Sequence, residues 1–174
     1  MKMAKKLLAV ILAGVLALSV LTGCGGAVST KAIAEAMSDK TIAEAMSDVS
    51  KDEGFVYEAD PELRQIAEKI VEPSAAMQEG ETDIYDKIMK IMGDDYVGKY
   101  VWIAVTTTKG CDVTAQASNL LEDVDEDEDS NINSAVPNGT SPANVRSIGT
   151  APITVNGVDC RFAFITADAV QDKV

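Results

Sequence analysis

Two stretches of the chain space their apolar residues with the period of an α-helix. The first follows Asp60 and Pro61, a capping residue and a first-turn proline, and Pro73 ends it. Its apolar residues stand at i, i+3, i+4, i+7 and i+8, and they are Leu63, Ile66, Ala67, Ile70 and Val71. The second stretch runs over about 82–92, and Gly93 stops it. We interpret both apolar faces as core-facing, because core packing is more common than a ligand groove.

Strand signals follow in the second half of the chain. Residues 100–108 are rich in aromatic and β-branched side chains, and Lys109-Gly110 suits a turn into a second strand over 111–117. Asn156-Gly157 is the strongest hairpin signal, because Asn and Gly accept the positive φ angles of a type I′ turn. It predicts a strand on either side, the two together covering Ile153 to Thr166.

These elements together predict an α+β fold. Two or more amphipathic helices would pack on a small, mostly antiparallel sheet of about four strands. We expect Trp102 and Phe162 to lie between the sheet and the helices. Residues 54–174 would form this single domain, a length that suffices for one ordinary core.

The start of the chain has a different pattern. Three lysines precede an unbroken apolar run over 7–18, and the segment closes with Leu21-Thr22-Gly23-Cys24. This order of charged, apolar and then small residues resembles the signal peptide of bacterial lipoproteins. The resemblance implies that residues 1–23 are a signal peptide, and that lipid on Cys24 holds the protein on the outer face of a bacterial cell membrane. A plain signal peptide and a transmembrane helix are the alternatives, although the run is short for a span of about 20 residues.

A tandem repeat follows the lipid signal. Residues 31–39 read Lys-Ala-Ile-Ala-Glu-Ala-Met-Ser-Asp, and residues 40–48 repeat them with Thr41 in place of Ala32. Both copies favour helix, but nine residues advance a helix by about 900°, so one continuous helix would turn their apolar residues to opposite sides. A capping box at Thr41 would restart a second helix. We interpret residues 24–53 as a spacer; a helix that docks a partner is the alternative.

Charge and composition exclude several function classes. The full chain has a net charge of −13, and loss of the leader lowers Lys+Arg from 15 to 12 against 28 Asp+Glu, which leaves −16. Phosphates would be repelled, so we expect no nucleic-acid partner. The chain has no histidine, which removes Ser-His and Cys-His nucleophile pairs and His-ligated metal sites.

Two cysteines remain besides Cys24. An extracytoplasmic location permits a disulfide between Cys111 and Cys160, and an even pair suits one. The predicted strands would make cross-strand pairing feasible. Two buried thiols are the alternative.

An acidic run lies between the predicted hairpins. Seven of the eight residues over 122–129 are acidic, and a polar stretch follows, so we expect a mobile loop near residues 122–144. Asp125, Asp127 and Asp129 alternate like the start of a calcium loop. The later Gly and Glu of an EF-hand are replaced by Ser130 and Val136, so a solvated run of charges is the favoured interpretation. Weak calcium binding is the alternative, and no other cofactor is expected.

The function that the sequence favours is a binding or assembly module of the bacterial cell envelope, anchored to the membrane through its N-terminal lipid. Its partner would be an envelope protein or a small ligand. One alternative is an envelope hydrolase that uses paired carboxylates, since acids are abundant. Another is a structural lipoprotein without catalysis. No complete catalytic motif occurs in the sequence, so an enzyme is the less favoured hypothesis.

Overall fold

The structure is a computed structural model that describes residues 38–71, 88, 90–125, 131–133, 135–155 and 157–172. Helices and strands alternate along most of this length. In chain order the elements are α1 (Asp39–Val49), a 3₁₀ turn (Lys51–Glu53), β1 (Val56–Ala59), α2 (Pro61–Val71), a 3₁₀ turn (Asp94–Tyr96), β2 (Lys99–Thr107), α3 (Val113–Asp125), β3 (Thr140–Val155) and β4 (Val158–Gln171). Residues 90–92 are also helical; they belong to the predicted helix over 82–92, most of which lies outside the described residues.

The described strands form one sheet in the order β1-β3-β4-β2. β4 pairs antiparallel with both β3 and β2, and β1 pairs parallel with β3, so the sheet is mixed. The α+β class with a small sheet of four strands is therefore confirmed. The β3–β4 hairpin is confirmed as well: Val155 pairs with Val158, and Gly157 has a φ of 78°.

The predicted strand over 111–117 is wrong, because this segment begins helix α3. Asp112 caps the helix: its Oδ1 accepts a hydrogen bond from Ala115 N at 2.8 Å. The buried apolar residues then follow at helical spacing, and they are Ala117, Leu120, Leu121 and Val124. Helix α3 includes the start of the acidic run, up to Asp125, and β3 begins at Thr140. Both ends of the loop expected over 122–144 are therefore regular secondary structure.

The sheet separates two hydrophobic clusters, one on each face. Successive side chains of a strand point to opposite faces, and β2 shows this clearly. Trp102 and Ala104 belong to the cluster with residues of α1 and α3, whereas Val101 and Ile103 belong to the cluster with residues of α2. Trp102 and Phe162 are both buried, as expected. Within the described part of the chain, no helix is long and apolar enough to cross a membrane.

Helix α1 is part of the first cluster, although its residues were predicted to lie in the spacer. Ile42, Ala43 and Met46 are at most 2% exposed. The helix begins at Asp39, with Ile42 N donating to Ser38 O at 3.1 Å, and not at a capping box on Thr41. The apolar face of α1 comes from residues of the second copy of the repeat. Residues 31–37 of the first copy lie outside the described residues.

Helix α2 starts where the sequence predicts and crosses β3 at very short range. Asp60 Oδ1 accepts a hydrogen bond from Glu62 N at 2.8 Å, which caps the helix. A Cβ atom on Gly149 would lie 2.1 Å from Arg64 N and 2.2 Å from Leu63 C. Only a residue without a Cβ permits the helix backbone to approach the strand this closely.

Side chains form hydrogen bonds with backbone groups of both edge strands of the sheet, β1 and β2. On β1, Ser47 Oγ accepts a hydrogen bond from Tyr57 N at 2.8 Å and lies 3.3 Å from Tyr57 O. On β2, Val101 N donates to Asn131 Oδ1 at 2.9 Å, and Val105 N donates to Asp123 Oδ2 at 3.2 Å. These contacts satisfy edge groups that would otherwise be open to another strand.

Candidate functional site

Five polar residues from five elements are connected on the side of the sheet that carries α1, and one of them, Arg64, reaches this side from α2 on the other face. We call them the polar cluster: Asp39 of α1, Arg64 of α2, Gln116 of α3, Thr150 of β3 and Arg161 of β4. Strand alternation places two of them there. Thr150 is opposite Ala163, and Arg161 is opposite Thr106, so both point to the same face as Trp102.

Arg161 is the centre of the cluster and is 3% exposed. Its Nε donates to Gln116 Oε1 at 3.0 Å, and its Nη1 donates to Thr150 Oγ1 at 2.9 Å. Its Nη2 is buried and has no hydrogen-bond partner among the residues that the structure describes. Gln116 is held in turn, because its Nε2 donates to Cys111 O at 3.2 Å.

Asp39 supplies the negative charge of the cluster. Its Oδ1 accepts a hydrogen bond from the Thr150 hydroxyl, and its Oδ2 lies 3.3 Å from Arg64 Nη1. The Thr150 hydroxyl therefore links Arg161 to Asp39, accepting from one and donating to the other. One carboxylate thus compensates two guanidinium groups, and Glu68 also pairs with Arg64, at 3.1 Å.

Burial dominates the electrostatics of Arg161. It lowers the pKa of Arg161 to about 10; the charge of Asp39 opposes this effect, and the charge of Arg64 adds to it. The hydrogen bond to Glu68 and the charge of Asp39 raise the pKa of Arg64, which is half exposed. Both guanidinium groups are therefore protonated at neutral pH.

This arrangement suits a structural contact more than catalysis. A glycosidase-like site needs two close carboxylates, at least one of them desolvated. Asp39 is the only buried carboxylate among the described residues, and both its oxygens are engaged by partners within the cluster. The cluster fastens α1 to the sheet and to α2. The hydrolase hypothesis stays a prediction that rests on the abundance of acids alone.

A second buried arginine lies among aromatic rings on the same face. The guanidinium carbon of Arg146 lies 3.7 Å from the ring centroid of Phe55, 5.0 Å from that of Trp102 and 5.7 Å from that of Tyr57. Arg146 Nη1 also donates to Tyr57 Oη at 2.9 Å. Neither buried arginine was predicted from the sequence; in the case of Arg161, a lone charge within the apolar run from Cys160 to Ala167 was the available signal.

The predicted lipidation and calcium residues fall mostly outside the described chain. Cys24, Asp127 and Asp129 lie outside it; Asp125 is the last residue of α3, and its side chain is not described. No group of three or more potential metal-ligating side chains occurs among the described residues. Lipidation and weak calcium binding both stay predictions.

The structure places both remaining cysteines in buried positions. Cys160 lies on β4, where it pairs with Thr107 and Ile153, and Cys111 precedes α3 rather than lying on a strand. Both are thiols in the structure. Burial raises the pKa of the Cys160 thiol, with the nearby charge of Asp159 acting in the same direction and a backbone hydrogen bond opposing it.

Mass spectrometry tests the predicted disulfide. A bonded Cys111–Cys160 pair lowers the mass of the unreduced chain by two hydrogens and leaves neither residue open to alkylation in denaturant. In the reduced, folded chain we expect slow alkylation of Cys160, since burial and its raised pKa disfavour the thiolate. Alkylation of both residues in denaturant without prior reduction would exclude the disulfide.

Comparisons with known proteins supply no relative. No protein-family model matches the chain, and neither a curated protein nor a solved structure matches it significantly.

Proposed function

We propose that this protein is a binding or assembly module of the bacterial cell envelope, held on the outer face of a membrane by lipid on Cys24. The observation that carries the proposal is the Leu21-Thr22-Gly23-Cys24 sequence at the end of a charged and apolar leader. The partner would be an envelope protein or a small ligand. A net charge of −16 after loss of the leader disfavours nucleic acid and anionic lipid as binding surfaces.

The position of α1 supports a short connection between the lipid and the folded body. The described chain begins at Ser38; Asp39 is already buried, and the hydrophobic core begins at Ile42. Ser38 is 14 residues from Cys24, and a chain of that length spans at most about 50 Å when fully extended. The body would therefore act on partners at or close to the membrane surface.

Replacement of the lipidated cysteine tests the proposal. Cys24→Ser is expected to block processing or to release the protein into the medium, because the sulfur that carries the lipid is absent. Fractionation of cells and mass spectrometry of the N-terminus measure this. Ser29→Ala, five residues further on, serves as the control and should leave membrane association unchanged. If Cys24→Ser is processed like the parent chain and is still retained on the membrane, the anchor is not at this residue.

A further inference from the structure

Helix α1 occupies a groove with one stripe of side chains. We call the surface between α3 and strands β1 and β3 the α1 groove, since these elements contact the helix. Ile42, Ala43 and Met46 are buried there, and Ser47 binds the backbone of Tyr57 on β1. These four residues, together with Asp39, make the docking face of the helix.

The first copy of the repeat carries the same apolar stripe nine residues earlier. Ile33, Ala34, Met37 and Ser38 correspond in order to Ile42, Ala43, Met46 and Ser47. One straight helix cannot present both stripes to the groove, because nine residues turn a helix by about half a turn out of phase. The two copies are therefore alternatives for one groove, and not two parts of one docked helix.

The two possible docking faces differ at the position of Asp39, the residue that directly precedes the second copy. The residue nine positions before it is Thr30, which has no carboxylate to pair with Arg64 or to balance the buried charge of Arg161. All the other docking residues are identical. Docking of the first copy would also add nine residues to the connection to β1, a small cost because the entropy of loop closure grows slowly with length.

We infer that the α1 groove accepts either copy of the repeat, and that Asp39 selects the second copy by its contacts with Arg64 and Thr150. In this exchange, residues 30–38 replace residues 39–47 of the same chain in the groove. It does not depend on lipidation. Under the proposed function, it would shorten the connection between Cys24 and the docked helix by nine residues.

Matched substitutions in the two copies test this exchange in the full chain. Ile33→Asp with Met37→Asp alters the first copy, and Ile42→Asp with Met46→Asp makes the same change in the second. A third variant carries all four substitutions. Thermal unfolding measures stability, and hydrogen exchange with mass spectrometry identifies which copy is protected.

The first-copy variant should match the parent chain, because Asp39 and the stripe of the second copy are unchanged in it. The second-copy variant should still unfold cooperatively, with a midpoint lower by roughly 10 °C. Its protected amides should move from residues 42–50 to residues 33–41, in a monomer. The fourfold variant should lose cooperative unfolding, because no apolar stripe is left to fill the groove.

The result that would overturn the inference is equal loss of structure in the second-copy and fourfold variants. The inference would also be overturned if the second-copy variant unfolded cooperatively only as a dimer, because the first copy of one chain would then dock in the groove of another. Cys24 is untouched in every variant, so these outcomes are independent of the test of the anchor.

Discussion

Gly149→Ala should destabilise the fold by about 3 kcal/mol or more, at or beyond the upper end of the cost of overpacking a core. The new methyl group would lie 2.1 Å from Arg64 N and 2.6 Å from Leu63 O. These are backbone atoms of α2, so no side chain can rotate away, and the helix must separate from β3. Urea unfolding followed by circular dichroism measures the loss of free energy.

Gly139→Ala provides the matched control. A Cβ on Gly139 would meet nothing within 4 Å, but its φ of 72° is unfavourable for alanine. This strain costs about 1–2 kcal/mol. If the two variants lose the same free energy, the close approach of α2 to β3 is not what requires glycine at position 149.

Asp39→Asn is expected to destabilise the fold by about 3 kcal/mol, because it removes one partner from a buried set of charges. Arg161 would lose its compensating charge, and Arg64 would lose the contact at 3.3 Å. The asparagine can still accept a hydrogen bond from Thr150, so the change tests charge more than shape. Chemical unfolding at neutral pH measures it.

Arg161→Met is the informative comparison, and its cost should stay within about 1 kcal/mol. It removes a buried charge with one unpartnered nitrogen and fills the space with an apolar chain, although Gln116 Oε1 loses its donor. In the double variant, Asp39→Asn should cost less than it does alone, because the buried guanidinium of Arg161, whose charge Asp39 opposes, is then absent. An Arg161→Met cost equal to that of Asp39→Asn would contradict this account.

The elements that the sequence predicts well are those with local signals. Asp60 and Pro61 mark the start of α2, and Asn156-Gly157 marks the hairpin, because caps and tight turns depend on neighbouring residues. Helix α3 was missed, since its first residues are rich in β-branched side chains and its apolar period continues into the acidic run. β1 has four residues, and its parallel partner lies 89 residues away at Arg146, so no local pattern reveals it.

The polar cluster was beyond prediction for a similar reason. Thr150 and Asp39 are separated by 111 residues, and Arg161 and Gln116 by 45. Their contacts follow from strand order and helix placement, neither of which the spacing of polar residues encodes. Helix α1 shows the opposite difficulty: the repeat was visible, but which copy is docked depends on Asp39 and on arginines far away in sequence.

The occupied edges of the sheet bear on how copies of this protein would behave when crowded. A protein tethered by lipid, as we propose for Cys24, is confined to a plane, where neighbours collide far more often than in solution. The hydroxyl of Ser47 and the side chains of Asp123 and Asn131 already take up backbone groups that a neighbouring strand would need. These contacts disfavour the extension of one sheet into the next at those positions, even where copies cover a membrane densely.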